Sequence, residues 1–307
     1  MAPQEVVMAR PGLTMCSLVA IALATGSLAG RAQVFAPRDL DGIWNYATMT
    51  PLERPRDLAA KATLTPAEAA DYERQTIDRQ SETNNTAGPD WWDPGTRFLI
   101  NGRTSLIVDP PEGRAPALTA DAQQRAAART QARRARGPTD GPEDRALNER
   151  CLNWTVAGPP MLPGVYNNNV QILLTRDYAA IVSEMIHDAR IVPMDGRAHG
   201  DVPRWMGDSR GRWDGNTLVV DTVGFTDKTA FRGSGERLHL VERFTRVDAE
   251  TIEYRFTAED PSTWTRPFTA TFPMKKTVGP IYEYACHEGN ERSMIGMLRG
   301  ARATEKF

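Results

Sequence analysis

From residue 165 onward, apolar and polar side chains alternate with a period of two, and turn-forming residues interrupt the alternation at short, regular intervals. This pattern predicts strands at Val170 to Arg176, Ala179 to His187, Ala189 to Val192, Thr217 to Val223, Arg237 to Val247, Thr251 to Thr257, Thr265 to Phe272 and Ile281 to Cys286. Trp213-Asp-Gly-Asn216 carries the Asp-Gly hairpin signal, and Val247-Asp-Ala-Glu-Thr251 is a second short connection. Within Arg237 to Val247, Leu238, Leu240 and Phe244 share one face, while Arg237, His239, Arg243 and Thr245 share the other. That is an antiparallel strand with one wet face. Upstream, Gly42-Ile-Trp-Asn-Tyr-Ala-Thr48 reads as a first strand, and Arg103 to Asp109 as a short one stopped by Pro110-Pro111. Thr65-Pro-Ala-Glu68 opens a helix to about Gln80, and Thr119 caps another running to about Arg136. Between them, residues 81–97 form a polar loop with two adjacent tryptophans, Trp91 and Trp92. Successive hairpins without βαβ spacing predict a mainly β fold, an antiparallel meander closed as a lipocalin-like barrel or a sandwich. Residues of about 60–150 form a helical and loop arm on it.

The first 32 residues have a different character. Arg10 leads an apolar run from Leu13 to Ala29, followed by Gly30-Arg-Ala32, the arrangement of a secretory signal peptide. The run is shorter than the ~20 residues that span a bilayer, so no stable membrane span is expected. The competing reading is a buried N-terminal helix. Export assigns residues 1–32 to the signal and 33–307 to a single β-rich domain, secreted or periplasmic. It leaves Cys151 and Cys286 as a pair in an oxidising compartment, which predicts a disulfide between them. The alternative is a reactive thiol at Cys286 beside His287.

Charge narrows the partners. Lys+Arg 37 against Asp+Glu 39 gives a net charge of −2, without the basic excess of a nucleic-acid binder. Arg125, Arg129 and Arg133 form one basic stripe on the second helix, expected to be a solvated face rather than a polyanion site.

Candidate chemistry rests on four histidines, His187, His199, His239 and His287. Nucleotide loops, zinc-protease helix motifs, serine elbows and Cys-x-x-Cys pairs do not occur, so the expected chemistry needs no cofactor. His187-Asp188 and Cys286-His287-Glu288 fall at predicted strand ends, where a barrel mouth gathers polar groups. If the two histidines meet, His187 and His287 act as acid and base, with Asp188 and Glu288 orienting the imidazoles. A regular strand would turn His187 away from Glu184 and Asp188, and a bulge or turn there would alter that. Two histidines and a carboxylate also suit a divalent metal, but no local ligand spacing supports one. The plain alternative is that each histidine bonds backbone at a strand end. Arg212 and Trp205 are candidate substrate contacts, with Asn168 and Tyr166 as further polar contacts; the competing reading of the Asp208, Arg210, Arg212 and Asp214 charges is surface pairing. The expectation is a lyase, isomerase or hydrolase acting on a small organic molecule. The alternative is a lipocalin-like carrier of an apolar ligand. Oligomeric state is left open.

Several segments resemble an uncharacterised family of exported bacterial proteins: Thr104 to Arg114, Glu184-Met-Ile-His-Asp-Ala-Arg-Ile-Val-Pro193, Gly207 to Thr222, and Tyr282-Glu-Tyr-Ala-Cys-His-Glu-Gly-Asn290. The resemblance implies export and one continuous domain, and no catalytic role. An early Gly-x-Trp at residues 42–44 before a β meander is similar to lipocalin-type barrels, an analogy of fold alone.

Overall fold

The alternating segments pair with their neighbours in sequence, as short turns dictate. A computed structural model describes residues 36, 38–83, 92–137, 140–154, 156–228 and 231–304; the expected signal segment and Trp91 lie outside them. The elements in chain order are β1 (Gly42–Asn45), α1 (Pro66–Thr83), β2 (Ile107–Asp109), α2 (Ala120–Arg134), β3 (Asn169–Leu174), β4 (Tyr178–Ser183) and β5 (Ala189–Pro193). They continue with β6 (Asp208–Asp214), β7 (Thr217–Val223), β8 (His239–Asp248), β9 (Thr251–Glu259), β10 (Phe268–Lys276) and α3 (Cys286–Thr304). One antiparallel sheet runs β5-β4-β3-β1-β10-β9-β8-β7-β6, with β2 added beside β10. It curls into a nearly closed barrel with a single unsealed seam between β5 and β6.

The seam follows from strand parity. Nine strands alternating in direction bring the two edge strands together in parallel, so residues 194–207 must run back along the outside wall to join them. Side chains close the gap instead of a ladder. A Cβ on Gly211 would lie 2.2 Å from Met194 Sδ and 3.0 Å from Val192 Cγ1, so any larger residue there must displace Met194 and press on Val192.

The β3–β4, β6–β7 and β8–β9 turns gather at one end of the barrel, and the β4–β5, β7–β8 and β9–β10 connections gather with the arm at the other, the mouth. Near the turn end Trp44 is fully buried, its indole N–H donating to Leu40 O at 2.9 Å, with the Arg246 guanidinium 5.7 Å from its ring. Aromatic side chains fill the lumen: Phe244, Tyr254, Phe256, Phe268 and Phe272 are each at most 1% exposed. A buried ion pair lies among them. Arg190 meets Glu242 through two contacts of 2.5 and 2.9 Å, Tyr254 Oη donates to Glu242 at 2.7 Å, and Met161 N–H donates to Tyr254 Oη at 3.1 Å. The Met161 contact draws the end of the arm down as a plug over the mouth.

The arm leaves β1 and returns to β3, both at the mouth. Thr65 and Glu68 form the expected capping box of α1, and Thr119 caps α2 by accepting from Ala122 N–H at 3.1 Å. Thr119 Oγ1 also donates to Ser262 O, fastening α2 to the β9–β10 connection. Among the described residues no helix is long and apolar enough to cross a membrane. Cys151 and Cys286 are disulfide-bonded, tying the arm to the first turn of α3.

Four local expectations need correction. Ile281 to Cys286 is not a strand: Tyr282 N–H is held by Glu184 and Tyr284 packs on Trp154, which leaves no sheet edge to pair with. His287 and Glu288 therefore sit at the start of a helix rather than at a strand end. The Asp208 to Asp214 charges belong to a full strand, whose inward positions are Ser209, Gly211 and Trp213, so its apolar alternation is too sparse to read. Strand β4 stops at Ser183, where a 3-10 turn begins, and β10 runs four residues later than expected at its far end, to Lys276.

Candidate functional site

The β4–β5 connection breaks the alternation that a regular strand would impose. Ile186 and His187 both adopt left-handed backbone (φ 59° and 46°), which is costly for a β-branched residue. His187 is exposed. Asp188 is half-buried, and its Oδ2 has no hydrogen-bond partner among the described residues. Burial pushes the Asp188 carboxyl up to about 6, against the opposing pull of His187 and Arg190. His287 and Glu288 are exposed and line an outer groove of about 480 Å³ beside the disulfide, with Glu149, Cys151 and Glu291. Among the described residues no hydrogen bond or ion pair joins His187 to His287, and His187 does not line that groove.

The expected substrate contacts are dispersed. Arg212 is exposed on the outer face of β6, and Trp205 is half-buried in the connection outside the wall. Asn168 is buried, its amide donating to Asp93 Oδ2 at 2.6 Å and to Gly164 O at 3.0 Å, so it holds the arm's return to β3. Tyr166 packs edge-on against Trp154, 6.3 Å between ring centres.

A different pair of histidines is joined. His239 begins β8 and Asp221 nears the end of β7, both on the outward face of adjoining strands. His239 Nε2 lies 2.9 Å from Asp221 Oδ2. His199, in the connection that runs back along the wall, reaches the other carboxylate oxygen with its Nε2 at 3.1 Å. Its Nδ1 faces Asp208 Oδ2 at 3.3 Å. One carboxylate therefore bridges two imidazoles, and a second carboxylate orients one of them. All three bridged groups are open to solvent, with His199 28%, Asp221 33% and His239 41% exposed.

Asp208 is the anchor of the group. It is 3% exposed at the first position of β6 and accepts from Gly200 N–H at 2.9 Å and from Arg210. Burial opposes its charge, but these donors and His199 outweigh burial and hold its carboxyl below the usual range. Arg204 adds a further ion pair at 3.3 Å. Among the described residues no group of three or more His, Cys, Asp or Glu side chains is arranged to hold a metal ion.

No family profile matches this chain, and no curated protein is significantly similar to it.

His239 is visible in the sequence as a wet-face residue of its strand, and His199 only as one of four histidines. What brings them together is the β7–β8 register, which sets His239 one position beyond the last paired residues of the two strands, and a loop that reverses along the wall. Sequence spacings of 40 and 18 residues show neither. The readable signal is narrower: Asp221 and His239 lie at facing ends of adjoining predicted strands, on the polar parity of both.

Proposed function

We propose that this chain, like the exported family it resembles, works outside the cytoplasm as an enzyme of general acid–base chemistry, with its centre at His199, Asp221 and His239. The observation that carries the reading is the Asp221 carboxylate shared between two solvent-facing imidazoles. Donation from His239 Nε2–H to Asp221 leaves Nδ1 of that ring as the basic lone pair, the geometry in which a carboxylate orients a histidine for proton abstraction. His199 faces a carboxylate at each ring nitrogen, Asp221 and Asp208, so it offers no ring N–H to a substrate and instead holds Asp221 in place against His239. One oriented imidazole that removes a proton and returns it suits lyases, isomerases and hydrolases acting on small organic molecules. A disulfide between cysteines 135 residues apart supports work in an oxidising compartment.

The test is a panel of chromogenic esters, lactones and β-substituted carbonyl compounds offered to the oxidised protein. On any substrate turned over, H239Q and H199Q are expected to lower kcat by about 10²–10⁴ with unchanged melting temperature. D221N is expected to do the same through misorientation. Retained turnover in H199Q and H239Q would rule the centre out.

A further inference from the structure

A cleft lies between α2, the end of the arm and the β7–β8 connection. A cavity of about 460 Å³ opens there, lined by Arg133, Lys228, Asn148, Asn153, Trp154 and Phe231 among others. A second cavity of about 410 Å³ runs along α2 and shares Arg133 with the first. It also takes in Arg125 and Arg129. Of the basic stripe on α2, Arg129 and Arg133 are exposed, as expected of a solvated face, and Arg125 is half-buried against the barrel. Arg125 donates to Ser262 O at 3.0 Å and to Thr263 Oγ1 at 3.1 Å, and Arg129 reaches Asp227 O at 3.5 Å.

Three properties of this cleft point the same way. Its lining carries four cationic side chains, Arg125, Arg129, Arg133 and Lys228, and among the described residues no Asp or Glu. Arg133 and Lys228 are exposed, and among the described residues neither is engaged by a hydrogen bond or ion pair. Asn153 is 3% exposed, and its Nδ2 has no hydrogen-bond partner among the described residues. A buried amide donor left unpaired is costly unless something fills the cavity and accepts from it. The walls between these polar groups are aromatic: Trp154 is half-buried, and Phe231 is held by Phe256, Trp264 and Phe268.

We propose that this cleft binds a small organic acid with a flat apolar body, its anionic oxygens held by Arg133, Lys228 and the Asn153 amide. The guanidinium offers paired donors to a carboxylate, Lys228 adds a point charge from the β7–β8 connection, and the Asn153 amide N–H donates to a carboxylate oxygen. Trp154 and Phe231 receive the flat body, and the volume falls in the range of small-molecule pockets. The proposal stands apart from the acid–base centre, and its test reads binding alone.

Isothermal titration of the oxidised protein with naphthoate, against neutral naphthylmethanol of the same shape, separates the charge from the body. Saturable binding of naphthoate is expected, weakening as salt screens the exposed cations, with the alcohol weaker by about tenfold or more. R133E and K228E alter exposed side chains and should fold as the parent, a point checked by melting; each is expected to remove the naphthoate isotherm. N153L keeps the size of the side chain and is expected to weaken binding by about tenfold. Equal binding of acid and alcohol, an unchanged isotherm in R133E and K228E, or no isotherm with naphthoate would each overturn the proposal. Inorganic phosphate binding as tightly as naphthoate would overturn the role of the aromatic walls.

Discussion

Replacing Arg190 by Met tests how the barrel tolerates charge in its core. Glu242 is completely buried and Arg190 nearly so, and the guanidinium supplies two of the three hydrogen bonds that the carboxylate receives. In R190M only Tyr254 Oη still donates to Glu242. A buried carboxylate stripped of its partner costs about 3–5 kcal/mol, far more than the small volume change. In a chain of this size that corresponds to a drop on the order of 10 °C in melting temperature. The decisive comparison is the double variant, R190M with E242M. Both charges are then gone, and only the Tyr254 hydroxyl loses its acceptor, at about 1–2 kcal/mol. The double variant is therefore expected to be more stable than R190M alone. Urea unfolding followed by tryptophan fluorescence, with the disulfide intact, gives the three free energies of the cycle. Additive losses, or a loss in R190M below about 1 kcal/mol, would mean that water or another group stabilises Glu242 and that the pair is not an isolated buried unit.

Two further outcomes concern the mouth and the seam. Because burial raises Asp188 to about 6 in the folded protein against ~3.9 unfolded, the folded state binds more protons between those values. Stability is expected to fall as pH rises from about 4 to about 6, and D188N to flatten that slope in melting curves; an identical slope in D188N would refute it. At the seam, G211V is expected to destabilise by about 1–3 kcal/mol by driving β6 off Val192 and Met194, with partial rescue by M194A, as measured by urea unfolding. No rescue would mean that β5 and β6 are not held by this packing.

The barrel is legible in the sequence because its signal is local. Period-two alternation and Asp-Gly turns report on neighbouring residues, and seven of the strands from residue 165 onward overlap their expected positions for that reason. Failures occur where distant contacts decide. Residues Ile281 to Cys286 alternate like a strand, yet Glu184 and Trp154 hold them as a loop, and the helical spacing of Met294, Ile295 and Leu298 belongs to α3 directly after them. Strand β10 continues through Pro273, which would ordinarily end it. Pro273 falls between the part of β10 paired with β2 and the part paired with β1, where its missing N–H interrupts neither ladder. Glu242 shares the inward face of β8 with Leu240 and Phe244, and no pattern of apolar positions reveals a carboxylate whose partner is 52 residues away.

Long-range contacts also explain why residue type points to a histidine–carboxylate group but not to the histidines that form it. Two imidazoles around a carboxylate are expected at the ends of strands; the two joined histidines lie one at the start of β8 and one in the connection between β5 and β6. His187 sits on the β4–β5 turn and His287 beside the disulfide, whereas His199 and His239 are joined through a carboxylate on β7. The connection leaving β7 begins three residues after Asp221 and ends just before His239. Between those points it carries Lys228 and Phe231 into the basic cleft. A single loop therefore has its base at the proposed acid–base centre and its tip in the proposed anion site. A ligand held by Lys228 contacts the segment that joins the strands of Asp221 and His239, the pair whose 2.9 Å contact sets the orientation of the proposed basic imidazole. Any coupling between the two sites is expected to pass through this loop, because among the described elements it is the one that contributes side chains to the cleft while its flanking strands supply two members of the centre.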